Sequence, residues 1–494
     1  MCQVRQRRFP RIRSHVGPAR KYGLVARRLA PAPRPGHTAR LCSRWGYVVR
    51  TLLVTALAAS LLVVAPEAQA AIAWQPCPDQ PTAECGAVTV PLDWANPHAP
   101  KVELAVSRVR ATDPARRIGV VFVDAGGPGG SGAEFARAPY LSAGVRARFD
   151  VVGFDQLGTN GSSAIRCSSE LMGRNPGDDP TDEAAFAALA RHNLAVREDC
   201  RAGNPVFDHV DTARSARDLD AVREALGERR ISFYGISYGT LLGQQYAELF
   251  GPRVRSMVLD GVIDHSADLR RFVLDRARAV EEAFGAFAAW CAADTACVLH
   301  GQDVHAAWER ALAAADGTGL GQRNLVQWAF SEIRGGAWEG LASLIAEVGA
   351  ARTDFEPNYD SLRYAVVCQD FALRFEDFDE YRALREAELR AAPTLRGTYL
   401  GHEEAATCVG YTDRPSNPPH RLDVDQAPPL LLLTSRYDVA TPYEWARNAR
   451  RQARGSHLVT FDGPGHGVYH ANECTRTAAD AHLLGTAPAR DRTC

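Results

Sequence analysis

Lysine is nearly missing from this 494-residue chain: only Lys21 and Lys101 stand among 57 basic residues. A bias of that kind follows from GC-rich coding and carries no functional weight. No C-x-x-C pair occurs, and no Cys/His group has the spacing of a zinc site. A Walker Gly-Lys-Ser/Thr ending is absent too, so nothing marks a nucleotide phosphate loop. There is no internal repeat. Hydrophobic content of 46% and charged content of 23% leave no room for collagen, coiled coil or wholesale disorder. Basic residues become scarce after the first 70 positions. Those 70 hold 13 of the 57 basic residues and one acid, Glu67, so the remainder carries 44 basic against 57 acidic, a net of −13. Nucleic acid and anionic membrane surfaces are disfavoured as partners. A soluble monomer fits, and a cationic substrate is compatible with the balance. No metal or cofactor is implied.

Long hydrophobic runs are also lacking. The one candidate, Thr51–Ala65, is short for a membrane span, follows Arg44 and Arg50, and precedes Ala68-Gln69-Ala70. This pattern predicts an export signal cleaved near Ala70 and a secreted product. Ten cysteines remain beyond the leader, an even number that suits disulfides outside the cytosol. Spacing does not fix their connectivity. Neighbours pair naturally as Cys77–Cys85, Cys167–Cys200, Cys291–Cys297, Cys368–Cys408 and Cys474–Cys494.

Short apolar runs alternate with longer helical stretches, which predicts an α/β fold with a mostly parallel central sheet. Ile118–Asp124, Phe149–Asp155, Arg230–Ile236, Val254–Val262, Pro429–Ser435 and His457–Asp462 read as strands. Gly86–Trp94 and Val102–Ala111 read as opening strands, and Val468 to about Leu484 as a final helix. Between His265 and Asp425 the pattern turns helical and holds Trp290, Trp308, Trp328 and Trp338. The expected organisation is a leader over 1–70, core over 71–264, a helical lid over 265–425, and a second core segment over 426–494.

Gly235-Ile236-Ser237-Tyr238-Gly239 is G-x-S-x-G, a weak signal alone. Here it follows an apolar strand and opens a helix, the setting of a nucleophile elbow. Ser237 is the expected nucleophile, with the Tyr238 amide facing the developing oxyanion. A serine hydroxyl needs a base at neutral pH. His466, in Gly463-Pro464-Gly465-His466-Gly467 after the last strand, is that base; His470 is the alternative. Chain order places the acid between them. Asp438 after the penultimate strand is expected, with Asp260 and Asp264 as competitors. The glycine-rich loop Asp124–Gly132 should supply the second oxyanion donor, best the Gly127 amide.

These four segments occur in one order: Gly-Gly-Pro-Gly-Gly-Ser-Gly, Gly-Ile-Ser-Tyr-Gly-Thr, Asp-Val-Ala-Thr-Pro-Tyr and Gly-His-Gly-Val-Tyr. Together they resemble the secreted tripeptidyl aminopeptidases of actinobacteria, α/β-hydrolases related to proline iminopeptidases. The resemblance implies an exopeptidase acting on peptides with free N-termini. It also implies, through its Cys-x-Asp pattern at Cys368-Gln369-Asp370, that Asp370 captures the substrate ammonium; Glu332 and Glu339 beside lid tryptophans are the other candidates. Three departures bear on specificity: Asp124-Ala125 stands where Asn-Pro is usual, Leu157 where arginine is usual, and Gly410-Tyr411-Thr412 where Gly-Trp-Pro is usual. An esterase, amidase or lactonase with the same triad is the competing expectation.

Overall fold

A computed structural model describes residues 71–494 except 97, 318–320, 349–360, 398 and 486–489. The export signal expected over residues 1–70 lies outside them. The strands are β1 (Gln75–Pro76), β2 (Glu84–Pro91), β3 (Lys101–Val109), β4 (Gly119–Asp124), β5 (Phe149–Phe154), β6 (Ile231–Ile236), β7 (Val254–Asp260), β8 (Leu431–Tyr437), β9 (His457–Pro464) and β10 (Arg492–Thr493). They form one sheet in the order β1-β2-β3-β5-β4-β6-β7-β8-β9-β10. The first three strands and β5 pair antiparallel; from β5 onward through β10 the pairing is parallel. This is the α/β-hydrolase fold, with the mostly parallel central sheet that the strand pattern predicted.

The central strands GVVFVD, FDVVGF and ISFYGI are buried almost throughout. Strands covered on both faces read as continuous apolar runs because helices pack on each side. The carboxyl ends of β4, β6, β7, β8 and β9 therefore open onto one edge of the sheet, where loops carry the chemistry.

Between β7 and β8 the chain is helical, with helices Leu269–Ala293, Val304–Gly317, Gln322–Gly335, Trp338–Ala346, Arg363–Asp370, Phe378–Ala391 and Tyr399–Thr407. Phe284, Phe287, Trp308, Leu312, Leu325, Ile333 and Leu341 fill a separate apolar cluster there. That cluster also takes in Val439 and Ala440 from the loop after β8. The helical segment is thus packed onto the core through the loop that follows a sheet strand.

The last helix begins later than the sequence suggests, at Glu473 rather than Val468. Asn472 caps it in a capping box with Thr475. The amides of Val468 and Tyr469 instead go to the Asp260 carboxylate, which keeps that stretch out of a helix and leaves His470 in a turn. The two-residue strands β1 and β10 carry too little pattern to be read beforehand.

All ten cysteines beyond residue 70 are bridged, as Cys77–Cys85, Cys167–Cys200, Cys291–Cys297, Cys368–Cys408 and Cys474–Cys494. Non-reducing peptide mapping of the isolated protein should recover these five links and no free thiol among the ten. Replacing the Cys368–Cys408 pair by alanine should cost roughly 2–4 kcal/mol of stability in denaturant titrations; a long-range link such as Cys77 to Cys494 would contradict the arrangement.

Candidate active site

Ser237 sits between the end of β6 and the helix Gly239–Phe250 with φ of 58°, in the left-handed region that a non-glycine residue rarely adopts. The strain is held in place by hydrogen bonds on both sides. Its amide donates to the Asp260 carbonyl at 2.9 Å, and its carbonyl accepts from the Thr240 amide and hydroxyl at 2.9 and 2.6 Å. Glycine at 239 is required by close approach, since a Cβ there would lie 2.5 Å from Asp124 Oδ1. Gly126 is equally constrained: with φ of 75°, an added Cβ would sit 2.4 Å from the Ile236 carbonyl oxygen and 2.8 Å from the Tyr238 nitrogen. The glycine-rich loop is therefore pressed backbone to backbone against the elbow. The amides of Gly127 and Tyr238, the expected oxyanion donors, have no acceptor among the described residues.

Asp124 shapes that loop. Its carboxylate accepts from the Gly126 amide at 2.9 Å and from Gln156 Nε2 at 3.0 Å. Burial pushes its carboxyl up to about 6.

His466 and Asp438 come together from β9 and β8. His466 Nδ1 lies 2.9 Å from Asp438 Oδ2 and 3.1 Å from Oδ1. The rest of the carboxylate is filled by the amides of Ala440 and Thr441 and the Thr441 hydroxyl, each at 2.9 Å. This leaves the acid no freedom to turn away, and it fixes the imidazole tautomer with the proton on Nδ1. His466 Nε2 is buried without a hydrogen-bond partner among the described residues, and Ser237 Oγ makes none. A nucleophile–base hydrogen bond of this kind commonly tightens only when substrate is bound. The base loop is anchored from the lid as well, because the His466 amide donates to the Arg334 carbonyl at 2.8 Å.

The competing acids are engaged elsewhere. Asp260 is fully buried and accepts from the amides of Val468 and Tyr469 and from Tyr234 Oη at 2.8 Å; burial raises its carboxyl. Asp264 pairs with Arg271 at 2.7 Å.

A cleft of about 700 Å³ opens beside Ser237. It is bordered by Gly127–Gly130 of the glycine loop, by Arg166, and by Phe330, Arg334, Arg363 and Glu404 from the helical segment. Asp370 does not border it, which corrects the expectation drawn from the Cys-x-Asp pattern. It has no exposure, and four donors occupy it: the Thr212 amide and hydroxyl at 2.9 and 2.6 Å, Tyr238 Oη at 2.7 Å and Asn417 Nδ2 at 2.8 Å. Burial pushes its carboxyl up to about 6, with Asp211 adding to the rise. Cys368, two residues before Asp370, is bridged to Cys408. Glu332 is half-buried on the helix Gln322–Gly335, which turns Phe330, Ser331 and Arg334 to the cleft instead. Glu339 is exposed. The carboxylate at the cleft is Glu404, 6% exposed, with Oε2 held by Arg276 at 3.0 Å. No motif in the sequence singled it out.

The TAP-like protein family model matches residues 393–494. Serine protease Hip1 of Mycobacterium tuberculosis is 30% identical, covering 90% of this chain and 97% of that protein. Tripeptidyl aminopeptidase of Streptomyces lividans is 32% identical, covering 88% of each. Carboxylesterase B of M. tuberculosis is 31% identical, covering 84% of this chain and 86% of that protein. Fold and relatives together define a serine hydrolase of the α/β-hydrolase class. Within it, the chain belongs to the TAP-like family, which includes the tripeptidyl aminopeptidases.

Ser237→Ala and His466→Ala should each lower kcat by about 10⁴-fold or more without unfolding the protein. A fluorophosphonate probe should label Ser237 alone, and labelling that survives Ser237→Ala would falsify the nucleophile. Asp370→Asn should behave as a structural lesion. It places an amide donor among four donors, so stability should fall by about 1–3 kcal/mol. Turnover should fall alike for free and N-acetylated peptides; a loss confined to free amines would return Asp370 to substrate binding.

Proposed function

We propose that this chain is a secreted serine exopeptidase that cleaves peptides from a free N-terminus through an acyl-enzyme. Ser237 Oγ attacks the scissile carbonyl while His466 Nε2 takes its proton, and Asp438 steadies the imidazolium that forms. The amides of Gly127 and Tyr238 receive the oxyanion as charge develops on it. His466 returns the proton to the departing amine. Water then repeats the sequence on the ester and frees Ser237.

The observation that carries the exopeptidase reading is the placement of Glu404. An α-ammonium group entering a partly apolar cleft needs an opposite charge to offset lost hydration. Glu404 borders the same cleft as Ser237. Arg276 fixes one of its oxygens, and the other makes no hydrogen bond among the described residues. Arg276 itself is held between Phe272 and Trp445, at 4.1 and 4.6 Å from the ring centres, and donates from Nε to the Ala440 carbonyl. The carboxylate is thus oriented by a fixed partner rather than free to swing. The family relation to tripeptidyl aminopeptidase supports the same reading. Five disulfides in the described chain support export, as does the apolar run before Ala70. The relative named carboxylesterase B keeps ester hydrolysis as the second reading.

A panel of peptides with free and N-acetylated ends, read by mass spectrometry, separates the two. Free-amine peptides should be cleaved well and acetylated ones poorly, with the product length giving the number of residues released. Glu404→Gln should lower kcat/KM for free-amine peptides by about 10- to 1000-fold and affect acetylated ones far less. Equal cleavage of both series by the wild-type enzyme would move the esterase reading to first place.

A further inference from the structure

We propose that the cleft beside Ser237 contains an anion subsite, built from Arg166 and Arg334, that selects substrates carrying a carboxylate near the scissile bond. The proposal rests on the hydrolase reading for the bond that is cut, and it adds a substrate class to it.

Among the described residues, the charged side chains bordering the cleft are Arg166, Arg334, Arg363 and Glu404. Glu404 is in turn paired with Arg276. Beyond residue 70 the chain carries a net charge of −13 (44 basic, 57 acidic). The field of arginines grouped at one cleft stands out against that overall acidic balance. Clefts with low-dielectric walls focus such a field on whatever enters them.

Arg166 and Arg334 are exposed at the cleft and differ from several arginines elsewhere in the chain. Arg323 pairs with Asp178 and Glu403, Arg385 with Asp179 and Glu388, Arg271 with Asp264. The guanidinium groups of Arg166 and Arg334 have no ion-pair or hydrogen-bond partner among the described residues.

Their backbones are nevertheless fixed. Arg166 exchanges two hydrogen bonds with the Asn204 side chain, at 3.2 and 3.0 Å, and precedes the Cys167–Cys200 bridge. Arg334 ends the helix Gln322–Gly335, and its carbonyl receives the amide of His466 at 2.8 Å. One arginine comes from the core and one from the lid, on anchored stems, with the nucleophile bordering the same cleft. A guanidinium so placed recognises a planar carboxylate through paired N–H donors. The carboxylate can be an acidic side chain or the C-terminus of a short peptide.

The test uses the intact enzyme with matched peptides carrying Glu, Gln or Lys at each position flanking the cleaved bond. Each is made as a free acid and as a C-terminal amide. Glu should exceed Gln by about tenfold in kcat/KM at one position, with Lys below Gln, and the advantage should shrink as salt rises from about 0.05 to about 0.5 M. If the C-terminus is the ligand, free acids exceed amides while the side-chain series stays flat. In the Arg166→Gln, Arg334→Gln double variant, checked for folding by fluorophosphonate labelling of Ser237, either ratio should fall towards one. Equal rates for Glu and Gln together with equal rates for acid and amide overturn the proposal, as does a preference for Lys or a ratio that the double variant leaves intact. If no peptide is cleaved, the peptidase reading fails, and the subsite is then judged on p-nitrophenyl esters of glutaric and pentanoic acids. A charged-ester preference lost in the double variant sustains it, and equal rates overturn it.

Discussion

Asp260 is where the two halves of the proposed catalytic apparatus are joined. Its carbonyl receives the amide of Ser237, and its carboxylate receives the amides of Val468 and Tyr469, just beyond His466. Ser237 and His466 arrive from distant regions of the chain, after different strands. A single residue at the end of β7 gives both loops a common reference. The Tyr234 hydroxyl completes the set of donors from inside β6. A buried carboxylate is costly unless donors surround it, and here the donors are the loops whose positions matter. Burial raises the Asp260 carboxyl.

Asp370 has a parallel role in a neighbouring layer. It gathers Thr212 at the start of the helix Thr212–Ala225, Tyr238 at the elbow and Asn417 from the segment returning to the core. Tyr238, proposed as an oxyanion donor through its backbone amide, is thus steadied by its own side chain. Asp260 and Asp370 act as connectors: each accepts from several elements at once.

Local chemistry was legible in the sequence wherever one short segment contains the whole reason for its shape. The strands β4, β5 and β6 read as apolar runs because both of their faces are covered. The elbow reads as G-x-S-x-G because a strained serine and a backbone-to-backbone approach need glycine at fixed positions. Neighbouring cysteines pair because their loops are short. What could not be read depends on side-chain direction across elements distant in sequence. Nothing near Glu404 in the sequence announces that its helix turns it to the cleft, or that Arg276 waits opposite. Asp370 is misread from sequence for the same reason: a family pattern fixes where a residue stands in the chain, and its partners Thr212, Tyr238 and Asn417 come from segments distant in sequence. The late start of the final helix belongs here too, since the amides of Val468 and Tyr469 are claimed by a residue on another strand.

The lid and the catalytic loops are not separable units. Val439 and Ala440, adjacent to Asp438, are buried in the apolar cluster of the lid. Arg276, from the first lid helix, holds both the Ala440 carbonyl and Glu404. Arg334, from another lid helix, holds the amide of His466 through its carbonyl while bordering the cleft. The residues that form the cleft wall are therefore tied to the acid and base loops by direct bonds. A lid helix that shifts to admit a bulkier substrate must carry the loops of Asp438 and His466 with it or break those bonds. Because packed interiors resist continuous deformation, specificity in this architecture is constrained by the geometry that catalysis demands. Changes of substrate class are then most easily made through side chains that end in the cleft, such as Arg166 and Arg334, rather than through movement of the backbone that carries them.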